Sequence, residues 1–244
     1  MVLLQTQHIT KNYEERKILS DVNIHLNQGE LVSILGISGI GKTTLFNIIA
    51  GLEAPQSGQV LLEDQTITNT TGHISYMLQK DLLLPYRTIM GNIILPALMQ
   101  NIPKKEAEAK AAPFFKIFGL EKTENLYPSA LSGGMRQRAA LLRTYMFSKE
   151  VSLLDEPFSA LDEITKRQVH SWYLELMKKI DLSTLLITHD VDEAILLSDR
   201  IYILSGRPAS ITKEITIEPD LKKQPEFDLS ADFLAYKREI LNLL

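Results

Sequence analysis

Val22, Ile24 and Leu26 alternate with polar neighbours and stop at Asn27-Gln28-Gly29, the period-two pattern of a strand covered on one face and closed by a turn. With the opening VLLQTQHIT, this predicts a strand-rich N-terminal layer. LVSIL, Leu31 to Leu35, is apolar almost without interruption, as in a parallel strand buried on both faces, and a glycine follows at once. KTTLFNIIA then reads as a helix, Gly58 and Gly72 punctuate further short strands, and HISYML ends that stretch at Gln79. From Thr88 to Phe147 the pattern becomes helical, with Pro103 ahead of KKEAEAKAA and Gly119 as C-cap; Pro113 is expected to break or kink the helix it falls in. VSLLDE returns to a buried strand. A helix starts at Glu163 after Asp162 as N-cap, with Val169, Trp172, Leu176 and Ile180 on one face, and TLLITHD is another buried strand. RIYILSG and ASITKEITI close the series, and the tail after Pro219 ends in an amphipathic FLAYKREILNLL.

The βαβ alternation predicts an α/β fold: a mainly parallel central sheet, an N-terminal antiparallel β layer and an inserted α-helical subdomain. The expected boundaries within one domain, 1–244, are a core of residues 1–87 and 148–219, a helical subdomain 88–147 and a C-terminal helical tail 220–244. A chain of 244 residues, 45% apolar and 23% charged, can bury a core of that size. The net charge of −4 leaves no electrostatic footprint for nucleic acid. There is no cysteine for a disulfide framework, and Met1 is not followed by a signal-peptide pattern, so the cytosol is the expected compartment. Apolar runs such as IILPALM from Ile93 fall short of the roughly 20 residues a spanning helix needs, so membrane contact is expected through a partner.

GISGIGKTT, Gly36 to Thr44, matches G-x-x-x-x-G-K-[ST] directly after a predicted strand and at a helix start, which predicts a P-loop NTPase. Gly36, Ser38, Gly39 and Gly41 let the backbone aim N–H groups at phosphates; Lys42 meets the β/γ charge, and Thr43, followed by Thr44, offers a hydroxyl to Mg²⁺. Such a loop needs a carboxylate on a neighbouring strand. Asp155 at the end of VSLLD is the expected Mg²⁺ residue, with Glu156 beside it to polarise the attacking water. A turn-capping Asp-Glu-Pro is the weaker alternative. His189 also ends a strand and is the candidate γ-phosphate sensor, whereas His8, His25, His73 and His170 are read as structural or surface residues.

LSGGMRQR, Leu131 to Arg138, is a second glycine-rich helix start. If it lies on the far side of the helical insertion it has no phosphate of its own to meet. A symmetric pair resolves this, with Ser132, Gly133 and Gly134 of each chain donating to the ATP held by the other. An ordinary N-capped helix burying Ala139, Leu142 and Met146 is the alternative reading.

Taken together, GISGIGKTT, LSGGMRQR, VSLLDEPFSALD, MLQKD and LLITHD resemble the nucleotide-binding subunit of an ATP-binding cassette transporter over nearly the whole chain. The resemblance implies ATP and Mg²⁺ as cofactors, Tyr13 as the aromatic that stacks on adenine, and Gln79 near Mg²⁺ sensing the transmembrane partner. It also places Ser159 to Asp162 at the seam of a homodimer. LQKDLLLPYRTIMGNIILPALM and DEAILLSDRIYIL resemble the importer ATPases of the nitrate, sulfonate, taurine and thiamine-precursor group. That group implies transmembrane permease subunits, an extracytoplasmic substrate-binding protein reached indirectly, no nucleic acid, and a peripheral place on the cytoplasmic face of the cell membrane. Ile40, Tyr86 and TYMFSKEVS depart from the group's usual residues, and no C-terminal regulatory domain is expected after the last strands. The same core serves exporters and lipoprotein-extraction systems, which stand as the alternative. A P-loop small-molecule kinase has no use for LSGG or SALD.

Overall fold

A long antiparallel hairpin, β1 (Val2–Tyr13) with β2 (Arg16–Asn27), opens the chain, and Tyr13 faces Arg16 across the turn. Val22, Ile24 and Leu26 are buried while Asp21 and Asn23 are exposed, which is the predicted alternation. The computed structural model describes residues 1–147, 150–180, 182–222, 224 and 226–244. The expected boundary at residue 148, the Ser148-Lys149 part of TYMFSKEVS, and residues 223 and 225 of the tail lie outside them.

The chain forms two compact units, Met1–Ile74 with Leu182–Leu244, and Ser75–Asp181. In the first, β3 (Leu31–Leu35), buried at every position, leads into α1 (Lys42–Ile49), whose Leu45, Phe46, Ile48 and Ile49 are buried. β4 (Ser57–Leu62) and β5 (Gln65–Thr66) join the hairpin in an antiparallel sheet of order β2-β1-β4-β5.

In the second unit, β6 (Ser75–Met77) precedes α2 (Ile89–Ile93), α3 (Leu95–Met99), α4 (Lys104–Ile117) and α5 (Gly133–Tyr145); β7 (Val151–Asp155) then pairs in parallel with β6, and α6 (Glu163–Met177) follows. α4 runs through Pro113, so the break offered as one outcome does not occur. Pro113 and Ala109, whose carbonyl loses its helical donor, both lie on the exposed side, so water can meet that oxygen while Ala107, Ala111 and Phe115 stay packed. On α6 the covered face is Val169, Tyr173 and Leu176; Trp172 is only half-buried, with the Arg138 guanidinium 4.6 Å from its ring centroid.

The first unit resumes with β8 (Ser183–Thr188), α7 (Val191–Leu197), β9 (Arg200–Ser205), β10 (Ser210–Thr216), the short α8 (Pro219–Lys222) and α9 (Ala231–Leu241). β3 lies between β8 and β9, parallel to both, and β10 runs antiparallel to β9. The tail docks on this unit: Phe227, Phe233 and Ile240 pack with Ala194, Ile195, Ile201 and Ile203, and Lys237 pairs with Asp192 at 2.6 Å.

One buried ion pair links the starts of β3 and β9. Arg200 holds both carboxylate oxygens of Glu30 and also donates to Glu214 at 2.8 Å, to the Tyr202 hydroxyl at 2.8 Å and to the His25 carbonyl at 2.8 Å. Burial works to raise the Glu30 carboxyl, but the Arg200 guanidinium and the Asn27 N–H outweigh it and hold it below the usual carboxylate range. A depressed carboxylate stabilises the fold above its unfolded value of about 4.3 and loses that contribution as pH falls through the folded value. Glu30→Gln is therefore expected to be less stable than the parent by about 3 kcal/mol at pH 7. In urea unfolding at stepped pH, that gap should narrow below about pH 4.3; a gap independent of pH would refute the assignment.

Candidate nucleotide site

Leu35 of β3 is in register with Thr188 of β8, so Gly36 and His189 leave adjacent parallel strands at the same carboxyl edge. Side-chain room decides the next residues. A Cβ at Gly36 would lie 2.6 Å from the Leu204 carbonyl oxygen, and Gly39 and Gly41 have φ of 76° and 119°, so each of the three positions calls for glycine. Gly41 is the N-cap of α1 and supplies no side-chain acceptor, which leaves the first-turn N–H groups for an anion. Lys42 is buried and curls back, its Nζ donating to the Gly36 carbonyl at 2.7 Å and the Ile37 carbonyl at 3.1 Å. The cation is thus held over the loop that carries the N–H donors. Ser38 and Thr43 are exposed and Thr44 is half-buried. His189 is exposed, and the next residue, Asp190, caps α7 by accepting from the Glu193 N–H at 3.1 Å.

Tyr13 ends β1 and is 46% exposed. The neighbouring Glu53 side chain, more than burial, raises the Tyr13 pKa above the ordinary value, and Lys11 Nζ lies 5.2 Å from the ring centroid.

The second unit assembles another set. Met77 is in register with Leu154, so the chain reaches Gln79 from β6 and Glu156 from β7 side by side. Gln79 Nε2 donates to Glu156 Oε2 at 3.3 Å and to Ser159 Oγ at 3.4 Å, and Ser159 Oγ donates to the Glu156 carbonyl at 2.8 Å. Glu156 has φ of 46°, a left-handed conformation that glutamate adopts at a cost and that turns it out of the strand direction. Asp155 is buried, and the Tyr76 hydroxyl donates to its Oδ2 at 3.4 Å. Burial first, and then the Asp155 charge, push the Tyr76 phenol well up.

Ser132 is exposed and N-caps α5, its Oγ accepting from the Met135 N–H at 3.3 Å. Gly133 is half-buried and Gly134 buried; a Cβ on Gly134 would meet Thr165 at 3.2 Å and Val169 at 3.4 Å, so this glycine also lets α5 approach α6 closely. Asp162 caps α6, accepting from the Thr165 N–H at 3.1 Å and hydroxyl at 2.6 Å. The structure thus groups Gly36–Thr44, Tyr13 and His189 in one unit, and Gln79, Asp155, Glu156 and Ser159 in the other, with Ser132–Gly134 at a separate helix start.

Several supporting residues escaped the sequence reading. Arg143 donates to the Asp81 and Leu82 carbonyls, the latter at 2.7 Å, and Arg136 lies 3.4 Å from the Asp81 carboxylate, so α5 pins the loop after Gln79. Asn92, fully buried, accepts from the Leu84 N–H at 2.6 Å and donates to the Leu84, Arg87 and Thr88 carbonyls, fixing the loop's far end. Tyr76 and Glu53 belong to the same class. A polar residue inside an apolar run was the only signal for Asn92, and the others carried none.

A glycine-wrapped lysine loop between a parallel strand and a helix defines a P-loop nucleoside-triphosphatase. Residues 19–159, more than half of the chain, match the family model described as ABC transporter, and the protein belongs to that family as an ATP-binding cassette ATPase. The chain is 46% identical over 209 residues to the formylaminopyrimidine import ATP-binding protein of Halalkalibacterium halodurans, covering 86% of this chain and 82% of that one. With the nitrate import ATP-binding protein of Synechocystis sp. it shares 36% over 232 residues, 93% of this chain and 87% of that one. The fold matches a dimeric ATP-binding cassette in a post-hydrolysis state bound to ADP and Pi, with a TM-score of 0.73 and 28% identity over 88% of this chain and 99% of that one.

Proposed function

We propose that the chain is the ATP-binding and hydrolysing subunit of an importer for a small solute of the formylaminopyrimidine, nitrate, taurine or sulfonate kind. The observation that carries this is the 46% identity to an import ATP-binding protein across 86% of the chain. In this reading Gly36–Thr44 binds the ATP phosphates, with Tyr13 stacking on adenine. Glu156 orients the attacking water, and His189 contacts the γ-phosphate. Ser132, Gly133 and Gly134 serve the nucleotide of a second copy, and Ser159 to Asp162 lies at the seam between copies. The segment 88–147 acts as the helical subdomain of an α/β core.

The donor set suits Mg²⁺. Among the described residues no group of three or more His, Cys, Asp or Glu side chains could hold a metal. A carboxylate, a hydroxyl and an amide oxygen are hard donors of the kind that Mg²⁺ takes together with a substrate's phosphates. Asp155, Thr43 and Gln79 would hold it, and when bound it neutralises charge on the transferring phosphoryl group.

No helix among the described residues is long and apolar enough to cross a membrane. Attachment to the cytoplasmic membrane face would therefore run through permease subunits. The second unit supports this with exposed Leu78, Leu82, Tyr86, Leu126 and Tyr127 around the loop after Gln79, where the Ile89 N–H donates to the Leu126 carbonyl at 2.8 Å. Affinity purification of the tagged chain from detergent-solubilised native membranes, followed by mass spectrometry, tests the reading. A permease recovered with a substrate-binding protein is the expected result. Recovery of the chain with ribosomes or DNA, or without any membrane protein, would overturn the importer reading and leave the ATPase intact.

A further inference from the structure

α7, the helix that follows His189, has seven residues, a length at which a helix is marginal in isolation. Its first turn fixes the backbone around the histidine. The Asp190 N–H donates to the Thr188 hydroxyl at 3.0 Å, and the Asp190 carbonyl accepts from the Ala194 N–H at 3.1 Å. Where the imidazole leaves the chain therefore depends on how α7 is seated. Ala194 and Ile195 of α7 pack in one cluster with Phe233 and Ile240 of α9. Two lysines then grip the helix at its ends. At the first turn Lys237 Nζ, on α9, lies 2.6 Å from Asp192 Oδ1 and donates to Oδ2 at 2.8 Å. Past the last turn Lys222 Nζ, on α8, donates to the Leu197 carbonyl at 3.1 Å and the Ser198 carbonyl at 2.9 Å, and lies 3.7 Å from Asp199 Oδ1. A helix end leaves its last carbonyls without intrahelical donors, and Lys222 serves them.

We propose that Lys237 and Lys222 are positioning residues for His189: from α9 and α8 they seat α7 at both ends and so hold the imidazole where it meets the γ-phosphate. The inference rests on the reading of His189 as the γ-phosphate contact. Apolar packing is non-directional, and by itself it would let a short helix slide or tilt on the sheet. Charge-assisted bonds at the two ends add the direction that packing lacks. Asp192 stands three residues from His189, so a shift at the Lys237 pair reaches the histidine through a single turn of helix. Lys222 keeps only 16% of its side chain exposed, a costly place for an ammonium where an apolar side chain would cover the core as well. Its bonds go to the end of α7. Neither lysine lies on an element that carries the phosphate loop or His189, so their effect on the nucleotide must pass through the helix they hold.

The test measures single-turnover ATP hydrolysis, and ATP binding by calorimetry, on the full chain as parent, Lys237→Met, Lys237→Arg, Lys222→Met, His189→Ala and the Lys237→Met/His189→Ala double variant. Lys237→Met should slow hydrolysis about twofold to fivefold, the scale of a half-exposed charge pair, with ATP affinity unchanged. Lys222→Met, which removes hydrogen bonds from a charged donor, should slow it about tenfold, again at parental affinity. Lys237→Arg keeps the charge and should hydrolyse ATP like the parent. In the His189→Ala background, itself slowed, Lys237→Met should add nothing. Rate and affinity falling together in Lys237→Met would make the lysine a prop of the whole fold and overturn the inference. Parental hydrolysis in both lysine variants, or a slowing by Lys237→Met that persists without His189, would overturn it alone. His189→Ala with the parental rate would overturn it together with the γ-phosphate reading.

Discussion

Glu156→Gln protein is expected to bind ATP with parental affinity, to hydrolyse it about a hundredfold to ten-thousandfold more slowly, and to accumulate as an ATP-bound dimer. The size is that of one lost general base, about 3 to 5 kcal/mol in the barrier. Glutamine keeps the volume of the side chain and can still meet Gln79 Nε2, now 3.3 Å from Glu156 Oε2, so the turn with φ of 46° should survive. What goes is the negative charge to which the proposed role assigns the polarising of water. Single-turnover ATPase assays and size-exclusion chromatography with ATP measure both effects. A Glu156→Gln enzyme with full turnover would sink the role given to Glu156, and loss of ATP binding would show that the side chain supports the loop rather than the chemistry.

Lys42→Ala should lower ATP affinity by at least about a hundredfold. The buried ammonium is the one cation inside the loop motif, and hydrogen bonds to charged groups contribute about 1.5 to 3 kcal/mol each, with every 1.4 kcal/mol a factor of ten in affinity. A second loss is structural. Lys42 Nζ now serves the Gly36 and Ile37 carbonyls at 2.7 and 3.1 Å, and without it the loop loses those two ties. The fold should persist, because β3 is buried at every position and Leu45, Phe46, Ile48 and Ile49 of α1 are buried apolar side chains. Calorimetric titration with ATP beside a thermal melt separates the two effects: unchanged ATP affinity would remove Lys42 from the site, while a collapsed melting temperature would recast it as a structural residue.

The family and the fold class were legible because their signals are local. An uninterrupted apolar run, a glycine loop with GKT and a helix start occupy residues 31–49, and the structure has β3, the loop and α1 in that order. The period-two run at Val22, Ile24 and Leu26 likewise became a strand with one buried face. Pro113 shows the limit of a local rule. The sequence supplies its missing N–H, but only tertiary placement on the solvent side decided that α4 continues through it.

By itself, then, the chain's sequence determined the βαβ order, the phosphate loop and the membership in the ABC transporter family, since each depends on residues within one element or its two neighbours. Tertiary structure alone decided which distant side chains hold those parts still. Glu53 meets Lys11 across 42 positions, Arg143 reaches the carbonyls of Asp81 and Leu82 across 62 and 61, Tyr76 meets Asp155 across 79, and Arg200 meets Glu30 across 170. A carboxylate or guanidinium at the surface of a strand has the same letter whether or not a partner awaits it. Chain topology brings the partner, and burial then makes the pairing count.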